Sequence, residues 1–359
     1  MLSGLSDADL GERLAARTLA LVDAASESRS EAELAGKVLD ELRAGGVDAT
    51  DAGDTCVLTR ADPAAAATRP RVLLGGHLDT VPAQDNRPGR RDADAVHGLG
   101  AADMKGAVAV MLELALAGAP VDLCLFGREE LPVAESALTP LLAREPRLSQ
   151  VELVVMMEPT DNELHAGCLG NVNATWTFTG RSGHSARPWQ ADNAIERAAR
   201  AIAALTDAAP PEQVSFEGLT FTEVVSVTRI SGGIAQNVIP DRVVCHVNQR
   251  YAPGRAPEDA EARLRALCAA EGSTLQIDSN APSAPVVVGE PLVQRLIAAG
   301  GLAVAPKQAW TPVAEFAARG LPAVNFGPGH PRFAHQRDEQ VSVAALVHSA
   351  RVLEAFLCG

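Results

Sequence analysis

Four short apolar runs constrain this chain most, because each passes directly into a polar or glycine-rich turn. They lie at residues 72–74, 121–126, 151–157 and 323–326. Runs without polar alternation read as strands covered on both faces, the habit of a mostly parallel sheet. Helically spaced apolar residues occur at 10–24, 32–42, 104–117 and 134–142. Strand and helix therefore alternate, which predicts an α/β fold. In such sheets ligands collect beyond the C-terminal ends of the strands. Residues 62–70 read as an Ala/Pro loop and 84–98 as a polar surface excursion.

The pattern changes near Val172. Residues 172–180 alternate as a half-exposed strand, 193–205 as an amphipathic helix, and 220–230 and 242–250 as strands. A helix over 257–271 has Pro257 near its start, and 274–278 is a last short strand. The order β-α-β-β-α-β predicts a ferredoxin-like α+β sandwich. Apolar α/β character resumes at Pro282. The expected organisation is one domain of residues 1–171 and 281–359, interrupted by a second of 172–280.

Composition narrows the function. A length of 359 residues suits two domains, and a net charge of -14 excludes a nucleic-acid binder, which needs a basic face. No apolar run reaches membrane-spanning length, and the first residues carry no signal-peptide pattern, so no membrane association and a cytoplasmic location are expected. Six cysteines are scattered without a CxxC pair, as in reduced thiols rather than a thiolate metal site.

Chemistry-bearing residues follow the predicted strands. His77 and Asp79 lie in Gly75-Gly76-His77-Leu78-Asp79-Thr80-Val81-Pro82; two residues apart, they point the same way on a strand. Asp103 follows Gly98-Leu99-Gly100 at the start of the helix over 104–117, where an N-cap alone would explain it. Glu129 and Glu130 form an adjacent acidic pair after 121–126, and such a pair repels unless a cation lies between its members. Glu158 follows Met157, where an unpaired buried carboxylate is costly. Beyond Gly327-Pro328-Gly329, either His330 or His335 can turn inward. Each residue alone has a bland reading as a cap, a solvated loop or a strand end. Together, imidazoles and carboxylates in this number suit a pair of zinc-like ions, with one acid left over as a base.

The stretches GGHLDTVP, GLGAADMKG, GREE, MEPT and AHQRDE, in this order, resemble the two-domain co-catalytic zinc amidohydrolase family of aminoacylases, G2-type carboxypeptidases, acetylornithine deacetylases and succinyl-diaminopimelate desuccinylases. The resemblance implies a zinc-peptidase-like catalytic domain binding two Zn2+, with Co2+ or Mn2+ as substitutes. It makes His77, Asp103, Glu130, Glu158 and His335 metal ligands, Asp103 bridging. His335 is selected because the family's ligand His follows Ala and precedes x-x-Asp-Glu. Glu129 becomes the catalytic acid and base, and Asp79 the group that holds the His77 tautomer. The peptide after Asp103 is expected to be cis.

The inserted segment resembles the family's lid and dimerisation domain. There His184, in Ser182-Gly183-His184-Ser185, implies an oxyanion-stabilising group supplied across a homodimer. Asn237, Arg250 and Gly327 are the implied substrate-binding residues, Arg250 by a bidentate pair with a carboxylate. The desuccinylase branch fits best, implying hydrolysis of N-succinyl-LL-2,6-diaminopimelate to succinate and the free diamino acid. Pro312 and Glu315 stand where relatives usually carry Asp and Arg, which keeps open another N-acyl-amino-acid deacylase or a carboxypeptidase or dipeptidase. A catalytically silent relative is the reading from another class, but every implied ligand and the base are present.

Overall fold

A computed structural model describes residues 2–61 and 69–359. Most of the expected 62–70 loop lies outside them. The chain divides into two compact units: Met1–Ala166 with Val287–Ala305 and Thr311–Gly359, and Gly167–Val286 with Pro306–Trp310.

The first unit is built on an eight-stranded mixed sheet. Its strands are β1 (Asp48–Asp51), β2 (Val57–Arg60), β3 (Val72–His77), β4 (Asp122–Phe126), β5 (Leu153–Met156), β6 (Leu164–Ala166), and, after the second unit, β12 (Val304–Pro306) and β13 (Ala323–Asn325). The spatial order is β1-β2-β4-β3-β5-β13-β6-β12. The four central strands, β4-β3-β5-β13, are mutually parallel, so their C-terminal ends share one edge. Every residue of β3, β4, β5 and β13 is buried, as their predominantly apolar sequences require; the polar exceptions His77, Asp122 and Asn325 stand at strand ends.

Helices α1 (Asp7–Asp23) and α2 (Ala32–Ala44) carry one apolar stripe each, and Ser6 caps α1 by accepting from the Asp9 N–H at 3.1 Å. Helix α3 (Gly106–Leu116) is apolar on nearly every side and buried throughout residues 106–115. The expected helix at 134–142 is broken into a 3-10 turn, Val133–Glu135, and α4 (Leu138–Arg144). The excursion at 84–98 is also more ordered than its polarity suggests. Arg90–Arg91 and Ala95–His97 form a small sheet with Gln340–Ser342.

In the second unit, β7 (Gly170–Thr179), β8 (Glu212–Phe216), β9 (Leu219–Gly232), β10 (Arg242–Tyr251) and β11 (Ser273–Ala281) form a sheet in the order β8-β9-β10-β7-β11. Helices α5 (Ala194–Ala208) and α6 (Pro257–Leu267) supply Ala194, Ala198, Leu205, Ala260 and Leu264 to a core with Val172, Trp176, Phe178, Val243 and Val247. The expected β-α-β-β-α-β order is present with β8 added at the edge, where Glu217 and Gly218 turn the hairpin with positive φ. Helices α7 (Pro291–Gly300), α8 (Val313–Ala317) and α9 (Val343–Cys358) complete the chain in the first unit.

Candidate metal centre

The parallel register sets the site. His77 ends β3 opposite Phe126, the last residue of β4, while Gly75 of β3 lies opposite Met156 of β5. The residues that follow these strands, Asp79, Glu129, Glu130 and Glu158, therefore emerge at one edge. Asp103 reaches the same edge from the turn before α3, where the Asp103–Met104 peptide is cis.

Two triads result. One ligand atom each from His77, Asp103 and Glu158 lies within 4.8 Å of the other two, and the same holds for Asp103, Glu130 and His335. Asp103 belongs to both. Its Oδ1 is 3.1 Å from His77 Nε2, and its Oδ2 is 3.6 Å from His335 Nε2. His335 Nε2 also lies 3.0 Å from Glu130 Oε2. His330 stands apart: its Nδ1 accepts from the Arg332 N–H at 3.1 Å and closes the Pro331–Phe333 turn.

The donor set fits a pair of cations. Burial disfavours charge on His77, yet its hydrogen bond to Asp103 and the charges of Glu129, Asp103 and Glu158 raise its pKa well above the usual value. The hydrogen bond to Glu130 lifts His335 to about 9. The acids thus draw protons onto both imidazoles, and a metal ion answers the same demand for positive charge with N and O donors. Lys105 does not answer it: its ammonium donates to the Ala24 carbonyl at 2.8 Å.

Residues 168–274 match the family model of the M20 peptidase dimerisation domain. A Mycobacterium tuberculosis protein provisionally named succinyl-diaminopimelate desuccinylase is 39% identical, the match covering 95% of this chain and 97% of the relative. The chain belongs to the M20 metallopeptidase family. A Corynebacterium glutamicum succinyl-diaminopimelate desuccinylase is 34% identical over 95% of each M20 chain. In fold, an M20 metallo-carboxypeptidase from Sulfolobus solfataricus superposes with a TM-score of 0.74 at 15% identity, covering 96% of this chain and 99% of its own. The protein is thus an M20 hydrolase.

Support for the triads of this M20 hydrolase comes from residues that do not enter them. His77 Nδ1 lies 3.0 Å from the Asp79 backbone carbonyl and 3.7 Å from its carboxylate. A carbonyl only accepts, so it keeps the proton on Nδ1 and leaves Nε2 for the triad. The Asp79 carboxylate instead accepts from the Glu129 N–H at 2.9 Å, the Glu130 N–H at 3.2 Å and the Ser28 hydroxyl at 2.7 Å. Burial, then the charge of Glu158, holds the Glu129 carboxyl well above the usual carboxylate range.

Glu339, the last residue of the AHQRDE stretch, holds the centre from outside the triads. It is buried and accepts from the N–H groups of Gly100 at 2.8 Å and of Ala102 and Asp103 at 3.0 Å, clamping the Asp103 turn. Its place at the end of that stretch was the only signal for it. Ser28 left no signal at all.

Gly327 stands against the strand end that carries Glu158. Its N–H donates to Thr160 Oγ1 at 3.0 Å, and its carbonyl accepts from the Asn162 N–H at 3.0 Å. A side chain there would start 2.4 Å from the Met157 carbonyl oxygen and 2.6 Å from that of Glu158. Its N–H and its carbonyl both have partners within the chain, and its smallness lets the backbone carrying Glu158 approach.

In the second unit, the short strand Gly183–His184 pairs with Val238–Ile239, and the Ser185 N–H donates to the Asn237 carbonyl at 3.0 Å. His184 and Asn237 are thus neighbours, both exposed. Arg250 is not with them. Their ribbon joins β10 just before Arg242, eight residues from Arg250, roughly 27 Å along an extended strand. Arg250 is half-buried, its Nε donating to Asn248 Oδ1 at 2.9 Å, with no carboxylate in ion-pair reach among the described residues. Glu315 of α8 is buried and accepts from the Thr139 hydroxyl, which turns it into the interior of the first unit.

Proposed function

We propose that this M20 hydrolase is a dinuclear zinc amidohydrolase that cleaves an N-acyl amino acid, with N-succinyl-LL-2,6-diaminopimelate as substrate. The observation that carries the reading is the meeting of two triads at Asp103, with Glu129 beside them. The names of the mycobacterial and corynebacterial relatives support the substrate. His77, Asp103 and Glu158 hold one ion; Asp103, Glu130 and His335 hold the other. When bound, such a pair polarises the amide carbonyl and lowers the pKa of the attacking water.

Glu129 takes a proton from that water and delivers it to the leaving amine. Asp79 keeps the His77 tautomer through its carbonyl and holds Glu129 and Glu130 through its carboxylate. Arg250 pairs with a substrate carboxylate, and Asn237 hydrogen-bonds the bound substrate. His184 of the partner subunit stabilises the developing oxyanion. The working form is a cytoplasmic homodimer joined through the inserted domain, which the dimerisation-domain match at 168–274 supports.

Glu315 favours a second reading. With an acid turned inward where relatives usually carry Arg, one substrate anchor is missing, and a different acyl group or amino acid fits. A panel of succinyl-diaminopimelate, acetylornithine and dipeptides, run on zinc-, cobalt- and manganese-loaded protein, decides. The first reading expects the succinyl substrate to give the highest kcat/KM with zinc. A larger value for acetylornithine or a dipeptide selects the second.

A further inference from the structure

Arg128 sits between Gly127 and the two acids Glu129 and Glu130, and its backbone is left-handed, with φ 59°. A non-glycine residue holds that conformation only where its surroundings impose it. Here the side chain does so. Arg128 Nε donates to the Glu135 carbonyl at 2.7 Å, and Nη2 donates to Asp54 Oδ2 at 2.6 Å. Asp54 lies on the turn between β1 and β2, remote from the triads in sequence and belonging to neither. The ion pair is mutual: Arg128 holds the Asp54 carboxyl below its usual range, and Asp54 raises the guanidinium.

The same loop is closed in from other directions. Gly127 packs so tightly on the Glu31 carboxylate and the Thr55 hydroxyl that a Cβ would start 2.2 and 2.3 Å from them. From within, Asp79 accepts from the amides of Glu129 and Glu130. The dipeptide carrying both acids is therefore gripped by Asp79 on one side and by Arg128 on the other.

We propose that Arg128, anchored by Asp54, is a positioning residue that fixes the Glu129–Glu130 dipeptide in its productive orientation. The inference rests on the roles given to those two acids under the proposed function. Misplacing a reacting group by about 1 Å can slow turnover about 100-fold. Releasing Arg128 should therefore lower kcat by about 10- to 100-fold and leave KM nearly unchanged.

The test uses the full-length zinc-loaded protein as wild type, D54N, R128A, R128K and the double variant. Two quantities are read: steady-state kcat and KM, and hydrogen-exchange protection of the peptide spanning Glu129 and Glu130. D54N removes the anchor from an exposed turn, so it keeps the test alive if R128A folds poorly. Expected are a lower kcat at constant KM, faster exchange at 129–130, partial recovery in R128K, and a double variant no worse than R128A. Wild-type kcat and wild-type exchange in both D54N and R128A overturn the proposal. If the wild type hydrolyses no acylamino acid, the functional reading fails; the exchange comparison still decides whether Arg128 and Asp54 grip the loop.

Discussion

At the scale of single residues, the proposed function places proton transfer on Glu129 and metal binding on its neighbours. Glu129→Gln keeps the shape and removes the base. Turnover should fall by about 100- to 10,000-fold while metal content stays at the wild-type level. Elemental analysis beside steady-state kinetics checks both halves, and near-normal turnover in that variant would remove Glu129 from the mechanism. His335 offers a pH test in metal-stripped protein. Its folded-state pKa of about 9, raised by Glu130, exceeds the unfolded value of about 6.5. The stabilisation is fully present below about pH 6.5 and is lost as pH rises toward 9. The Tm of chelator-treated wild type should decline across that window more steeply than the Tm of His335→Gln. Parallel curves contradict the Glu130–His335 pairing.

At the scale of elements, the four runs were readable because burial on both faces leaves mostly apolar residues in them, with Asp122, Glu152 and Asn325 the polar exceptions. The acids and imidazoles at their ends were readable for the same reason, since polarity begins where the strand leaves the core. The three strands of the small sheet were not readable. Arg90–Arg91 and Ala95–His97 form a local hairpin of only two and three residues, and Gln340–Ser342 joins it across a long sequence distance, which no local pattern reports. Glu339 and Arg128 were hidden likewise, because their tasks exist only once Gly100, Asp54 and Glu135 come near. Gly327 shows how an element's approach limits its sequence. Gly327→Ala places a methyl against the Met157 and Glu158 carbonyls, and backbone must shift. The expected destabilisation is about 1–3 kcal/mol in denaturant unfolding, with weaker metal binding at the His77 triad. Wild-type values for both contradict the role given to this close approach.

At the scale of the whole molecule, the distance along β10 between Arg250 and the His184–Asn237 ribbon means one inserted domain does not bring these groups together. A homodimer resolves this if His184 acts on the site of the other subunit. Glu129→Gln and His184→Ala are then each inactive alone. Mixed and allowed to exchange subunits, they regain activity, since one site of each heterodimer has Glu129 and receives His184 of the partner subunit. No recovery after confirmed exchange contradicts the shared site. The claim beneath all of this is the dinuclear centre. Anomalous scattering at the zinc edge from crystals of the zinc-loaded protein measures it directly. Expected are two peaks per chain, one among His77, Asp103 and Glu158 and one among Asp103, Glu130 and His335. No peak at these residues, or a single peak that Asp103 does not touch, contradicts it.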